Sequence, residues 1–254
     1  MISFFQRLLT PVSLALFVFT QQSFAEIKAT EVKKLQPYKA SYSATLSNIP
    51  VDGKAVRTLT QNKDGSWILT FKADMLLYSF SEESHFRFKD GEIQPFSYLR
   101  EKGALGRKNT SEITFDWGKK IADSREDSDR WKVTLKPEDL DRISYQQQLQ
   151  YDLSNGKKEF TYNVINEDER DQYTFKIEGE EILETPAGRF ATVRLKMVRD
   201  NNKRQTWIWL AKDWDDLLVQ LKQREKKKDY VVSLRQAEIA GKEITPLPIE
   251  TTKK

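Results

Sequence analysis

The sequence predicts an all-β protein with one main helix: a strongly curved antiparallel sheet, or open and incomplete barrel, with the helix against its concave face. Three observations carry this. Apolar and polar residues alternate along most of the chain, the pattern of strands with one buried face. Turn signals such as Asp64-Gly65, Asp90-Gly91 and Asn155-Gly156 punctuate those runs. One segment, 137–153, departs from the alternation and carries helix start and stop signals.

Residues 1–25 read as a cleavable export signal. Arg7 is the only charge before an uncharged apolar stretch at 8–20, and Ser23 and Ala25 supply small residues at positions −3 and −1 of a cut before Glu26. The apolar run falls short of the ~20 residues of a membrane span, and Pro11 disfavours a permanent helix. The chain has no cysteine, which excludes disulfides, thiolate chemistry, Cys-ligated metal and a lipidated N-terminal Cys. A soluble, periplasmic protein with no transmembrane segment in its mature chain is expected. Residues 26–241 are expected to form a single β-rich domain. The stretch 242–254 has no periodicity and two prolines, and is expected to be a disordered tail.

The strands follow in order. Tyr38, Ala40, Tyr42, Ala44 and Leu46 share one face of the first, and Trp67, Leu69 and Phe71 repeat the pattern. Phe86 and Phe88, then Phe96 and Tyr98, Ile113 to Trp117, and Trp131 to Leu135 complete the first half. The second half contains runs around Phe160, Tyr173, Val193, Trp207, Val219 and Tyr230. Spacings of ~8–12 residues suit an antiparallel sheet, barrel or sandwich. Thr206, Ile208 and Leu210 make both faces of the Trp207 strand apolar, which places it centrally and covered on both sides.

In the helical segment, Leu140, Ile143 and Tyr151 fall on one side, and Tyr145, Leu149 and Leu153 on the other. A helix apolar on two faces is gripped from both, so it belongs between sheet faces or across a curved sheet.

Most candidate chemistry dissolves on inspection. With 42 Lys plus Arg interspersed among 38 Asp plus Glu, no concentrated basic face indicates nucleic acid. The densest basic run, 224–228, sits at an expected hairpin turn. His85 is the only histidine, and it is expected on the solvent side of its strand. Without a Gly-x-Ser-x-Gly elbow or a thiol, nucleophilic catalysis lacks its parts. One His and no Cys make no zinc site. Asp127, Asp129 and Glu138 mimic a calcium loop, but Trp131 and Lys132 occupy a ligand position and the obligatory glycine. Gly103 and Gly106 lack the strand-to-helix context of a phosphate loop and suit a hairpin. The acidic pairs Glu82-Glu83, Glu180-Glu181 and Asp215-Asp216 point to opposite faces on a strand, and nothing selects one for glycoside chemistry.

Three motifs carry a family resemblance: Leu140-Asp141-x-x-Ser144 at the helix start, Thr185-Pro186-x-Gly188-x-Phe190 at a turn, and Trp209-Leu210-Ala211 at a strand end. In them the chain resembles an uncharacterised family of exported proteobacterial proteins, a domain of unknown function. One departure is Leu217-Leu218, where the family has Leu-Pro. The resemblance implies an architecture similar to the curved, incomplete barrels of periplasmic lipoprotein carriers, and it brings no catalytic residues.

The resulting expectation is a non-enzymatic protein without cofactor or metal, binding an apolar or amphipathic envelope component such as a lipid or lipidated chain. The alternative is a periplasmic module recognising protein or polysaccharide, with a carboxylate-dependent hydrolase behind it. Trp207 and Trp209, with Val193, Leu195 and Met197 on the preceding strand, are expected to form one ligand-lining wall.

Overall fold

The computed structural model describes residues 32–47, 49–75, 78–201 and 203–248. The expected export signal, with Ala25 and Glu26, lies outside the described residues, as does 249–254.

Strands β1 (Tyr38–Leu46), β2 (Ile49–Gln61), β3 (Trp67–Met75), β4 (Tyr78–Lys89), β5 (Glu92–Ala104), β6 (Arg107–Asp116), β7 (Ile121–Glu126) and β8 (Asp129–Thr134) form an antiparallel meander. The short β9 (Asp139–Leu140) and helix α1 (Ser144–Ser154) follow. A second meander comprises β10 (Phe160–Asn166), β11 (Glu169–Thr185), β12 (Gly188–Val198), β13 (Arg204–Ala211), β14 (Leu217–Glu225) and β15 (Lys228–Ile239). Strand β16 (Lys242–Glu243) adds to β15. Pairing of β1 with β15 joins the meanders into one large curved sheet with β8 and β9 at its edges.

The short linker 135–138 fixes the curvature. It joins the two edges of the sheet, and at ~3.3–3.6 Å per residue it can reach only if those edges curl toward each other. No backbone ladder closes the seam among the described residues. Side chains bridge it instead. Arg170 bonds Asp139 through two nitrogens at 2.7 Å and donates to the Thr134 carbonyl at 2.6 Å. Glu167 receives Arg100 at 2.9 Å, Arg142 at 3.2 Å and the Ser111 hydroxyl at 3.1 Å.

Helix α1 lies in the concavity and is held from both sides. Tyr145 packs on Tyr162, Tyr173 and Phe175 of the second meander. On the other side Gln147 accepts the Tyr38 hydroxyl at 2.9 Å, Gln146 accepts Arg57 at 2.7 Å, and Gln148 accepts the Ile93 amide at 2.8 Å. Ile143, Leu149 and Leu153 are buried, and each buried glutamine named here has a hydrogen-bond partner. A buried polar group without one would cost ~1–3 kcal/mol.

The helix begins later than expected. Glu138 adopts φ +64°, and Asp139 is drawn into β9 by Arg170, so residues 137–140 are not helical. Asp141 then starts the helix by a reciprocal cap. Its Oδ1 accepts the amides of Ile143 and Ser144 at 3.0 and 2.8 Å, and the Ser144 hydroxyl accepts the Asp141 amide at 2.9 Å. The Leu-Asp-x-x-Ser motif is this cap. Residues 242–248 also depart from the expected tail. Ile244 is buried with its amide on the Ala237 carbonyl, and the Leu247 amide meets the Arg189 carbonyl at 2.8 Å. Pro246 packs where a Cβ on Gly188 would stand, at a φ of +114° that also favours glycine, so Gly188 of the turn motif is tied to this segment.

Candidate functional site

Cross-strand register sorts the concave face of β1–β7 into layers. The deepest, next to α1, runs through Tyr38, Leu59, Leu69, Ser84, Tyr98 and Ile113, all buried. The next runs through Ala40, Arg57, Phe71, Glu82, Arg100 and Ser111 to Glu126 and is largely charged. The third holds Tyr42, Ala55, Ala73, Phe80 and Lys102.

The third layer is not filled. Ala55 and Ala73 stand on strands where the deepest layer has leucine, and with Ala44 beyond Tyr42 they leave a cavity of about 280 Å³ among Tyr42, Ala44, Ala55, Phe71, Ala73, Phe80 and Val232. It opens to solvent, since Phe71, Ala73, Phe80 and Val232 are only half-buried. Gly53 sits at its edge, and a Cβ there would meet the Asp74 carbonyl oxygen at 2.6 Å.

Behind it lies the charged band. Arg57 is sealed, donating to the Tyr38 hydroxyl at 2.8 Å and to Gln146. Arg100 joins Glu126 at 2.7 Å and Glu167 at 2.9 Å. Glu82 lies deep in the concavity with part of its surface still accessible, and it accepts the Tyr98 hydroxyl at 2.7 Å. Burial pushes the Glu82 carboxyl above the ordinary range, against the hydrogen bond from Tyr98. Burial also raises Asp141, opposed by Ser84 and the capping amides. Lys102 is shifted down by partial burial and then by the like charges of Arg100 and Arg142.

The expected ligand wall is not formed as one surface. Leu195 pairs with Ile208, while Trp207 pairs with Lys196 and Trp209 with Arg194. Val193, Leu195 and Met197 therefore share the concave face and are packed into the core, whereas both tryptophans point to the convex face. Trp209 donates to Glu181 at 2.7 Å, and Trp207 lies between Lys196 and Arg224, 5.2 and 5.9 Å from its ring centre. Both faces of β13 are apolar in sequence, and only register with its neighbours decides which looks inward. His85 is on the convex side as expected, 2.7 Å from Glu83. Asp127 accepts the Thr110 amide and the Asn109 side chain in a hairpin, and no acidic or histidine cluster suited to a metal occurs among the described residues. Sequence reasoning missed Arg57, Phe80 and Lys102. The one available signal was the recurrence of alanine at 44, 55 and 73 in otherwise bulky strands.

These features define a class: a β-barrel-like protein, open along one seam, with a helix filling one end of its concavity and a cavity left at the other. The chain belongs to the family described as protein of unknown function (DUF3108), whose pattern matches residues 38–235. No curated protein matches it. Among solved structures it is similar to a β-barrel-like protein of domain of unknown function DUF1849 from Brucella abortus. The TM-score is 0.52 and the identity 10%, over 81% of this chain and 98% of that one. That likeness concerns the fold alone. More distant are PNGF-II, with a TM-score of 0.31 and 8% identity over 84% of this chain and 29% of that one, and a DUF1329 family protein from Desulfovibrio piger ATCC 29098, with 0.24 and 12% over 82% and 87%. Neither of these two bears on fold or function.

Proposed function

We propose that this is an exported, periplasmic, non-enzymatic protein that binds the apolar chain of a lipid or other amphipathic envelope component in the cavity between β1, β2, β3, β4 and β15. The observation that carries the reading is the unfilled apolar third layer. Folded chains normally close such volume, because packing contacts are lost around it. At about 280 Å³ the cavity falls just below the ~300–1,000 Å³ of small-molecule sites, which suits one chain better than several. The seam is held by side chains rather than a backbone ladder, which leaves room for the concavity to widen around a guest. The export pattern of residues 1–25 supplies the compartment.

The test is displacement of a fluorescent polyene fatty acid from delipidated protein whose N-terminus has been sequenced. Saturable binding and a mature start at Glu26 are expected. Ala73→Trp, which places an indole in the cavity, should abolish binding while the protein still melts cooperatively. Unchanged binding by Ala73→Trp would exclude the cavity as the site.

A further inference from the structure

We propose that the cavity selects amphipathic anions, with the apolar chain along Ala55, Ala73 and Phe80 and a carboxylate or phosphate head at the ammonium group of Lys102. This rests on the cavity being the binding site and adds the chemistry of the head. Lys102 is the cross-strand partner of Phe80, so the two side chains share the concave face with Cβ atoms ~4.5–5.5 Å apart. It stands two residues along β5 from Arg100, on the cavity side of the charged band.

The cations of that face differ in their commitments. Arg57 is occupied by Tyr38 and Gln146, Arg100 by Glu126 and Glu167, and Arg142 by Glu167 and Asn166. The side chain of Lys102 makes no hydrogen bond or ion pair among the described residues. The nearby acids are already engaged, with Glu101 taken on the other face by Lys108. A half-buried ammonium stands here beside two guanidinium groups, and the carboxylates that attract it, Glu126 and Glu167, are already in contact with Arg100 and Arg142, so its own donors stay open next to Phe80 at the edge of an apolar cavity. A neutral head gains nothing from it, and a cationic head is repelled.

The experiment compares twelve-carbon chains differing only in the head: laurate, dodecyl phosphate, dodecanol and dodecyltrimethylammonium. They are titrated calorimetrically below their micelle concentrations into the delipidated full chain. Laurate and dodecyl phosphate should bind ~10-fold or more tightly than dodecanol, the scale of one charge-assisted hydrogen bond. Lys102→Gln should bring both anions to the affinity of dodecanol without moving dodecanol itself, and Lys102→Arg should restore the preference. Equal binding of laurate and dodecanol, or a preference that survives Lys102→Gln, overturns the anion selectivity and leaves the cavity reading standing. If no twelve-carbon chain binds, both fall together. Selectivity shared by the two anions assigns the site to oxyanion heads in general, and a preference for one names which.

Discussion

Two ends of one concave face solve the same packing problem differently. Beside α1, cross-strand neighbours Leu59, Leu69, Tyr98 and Ile113 are at most 2% exposed, and Leu149 of the helix is as deeply buried. A few residues along the same strands, Ala55 and Ala73 replace leucine, and Phe71 and Phe80 remain half-open. Arg57, Glu82, Arg100 and Glu126 separate the two ends. The difference teaches that stability and binding are divided within the sheet. The plugged end supplies the core, so the open end can leave volume empty. The charged band marks where the core stops.

Leu149→Asp should show the largest effect in either region. It leaves a carboxylate buried against apolar neighbours, for which roughly 3–5 kcal/mol of destabilisation is expected. Chemical denaturation reads it directly. A melting temperature near that of the unaltered protein would mean α1 is not a structural plug, and the division between the ends would collapse.

The charged band gives a smaller effect that depends on pH. Glu82 is shifted upward by burial, so the folded chain binds its proton more readily than the unfolded chain. Its contribution is fully present below the ordinary glutamate value of ~4.3 and is lost as pH rises through the raised value. Asp229, held far below the carboxyl range by Arg224 and Lys222, works oppositely and loses its contribution only in strong acid. Glu82 should therefore add stability as pH falls through its raised value toward the ordinary glutamate range, which shows as a rise in melting temperature. Glu82→Gln, which keeps an acceptor for Tyr98, should flatten that rise. A parallel slope in Glu82→Gln would assign the rise to the other carboxyls that burial raises, Asp141 and Asp216, and remove Glu82 as its source.

Much of this division was legible in the sequence, because period two reports directly on one-sided burial. The strands of both meanders other than β2 and β7, and the gripped helix, followed from alternation and from apolar residues on two helix faces. What escaped depends on registers and partners that no local pattern holds. Glu82 and Glu83 look alike in sequence, yet one enters the concavity and the other meets His85 outside. On β13 both faces are apolar, so the inward side is set by pairing of Leu195 with Ile208. The start of α1 was misplaced because Pro137 and two acids imitate a helix start, while Arg170, thirty-one residues after Asp139, pulls that segment into a strand. The segment 242–248 looked structureless because Pro246 packs on Gly188 and its amides bond to β12 and β15, contacts invisible to periodicity.

Trp207→Ala should give the smallest effect and sharpens the comparison most cheaply. The indole lies on the convex face with Lys196 and Arg224 over its ring, an arrangement worth ~0.5–1 kcal/mol for an exposed cation–π contact. Truncation should therefore lower stability by about 1–2 kcal/mol through those contacts and its half-buried area. Affinity for a twelve-carbon anion should not change, because a sheet with side chains on alternate faces separates this residue from Phe71 and Phe80. The measurement is one denaturation curve and one calorimetric titration on the same preparation. If affinity drops in step with Ala73→Trp while stability is unchanged, the ligand contacts the outside of the sheet. The open end of the concavity would then be only a packing defect.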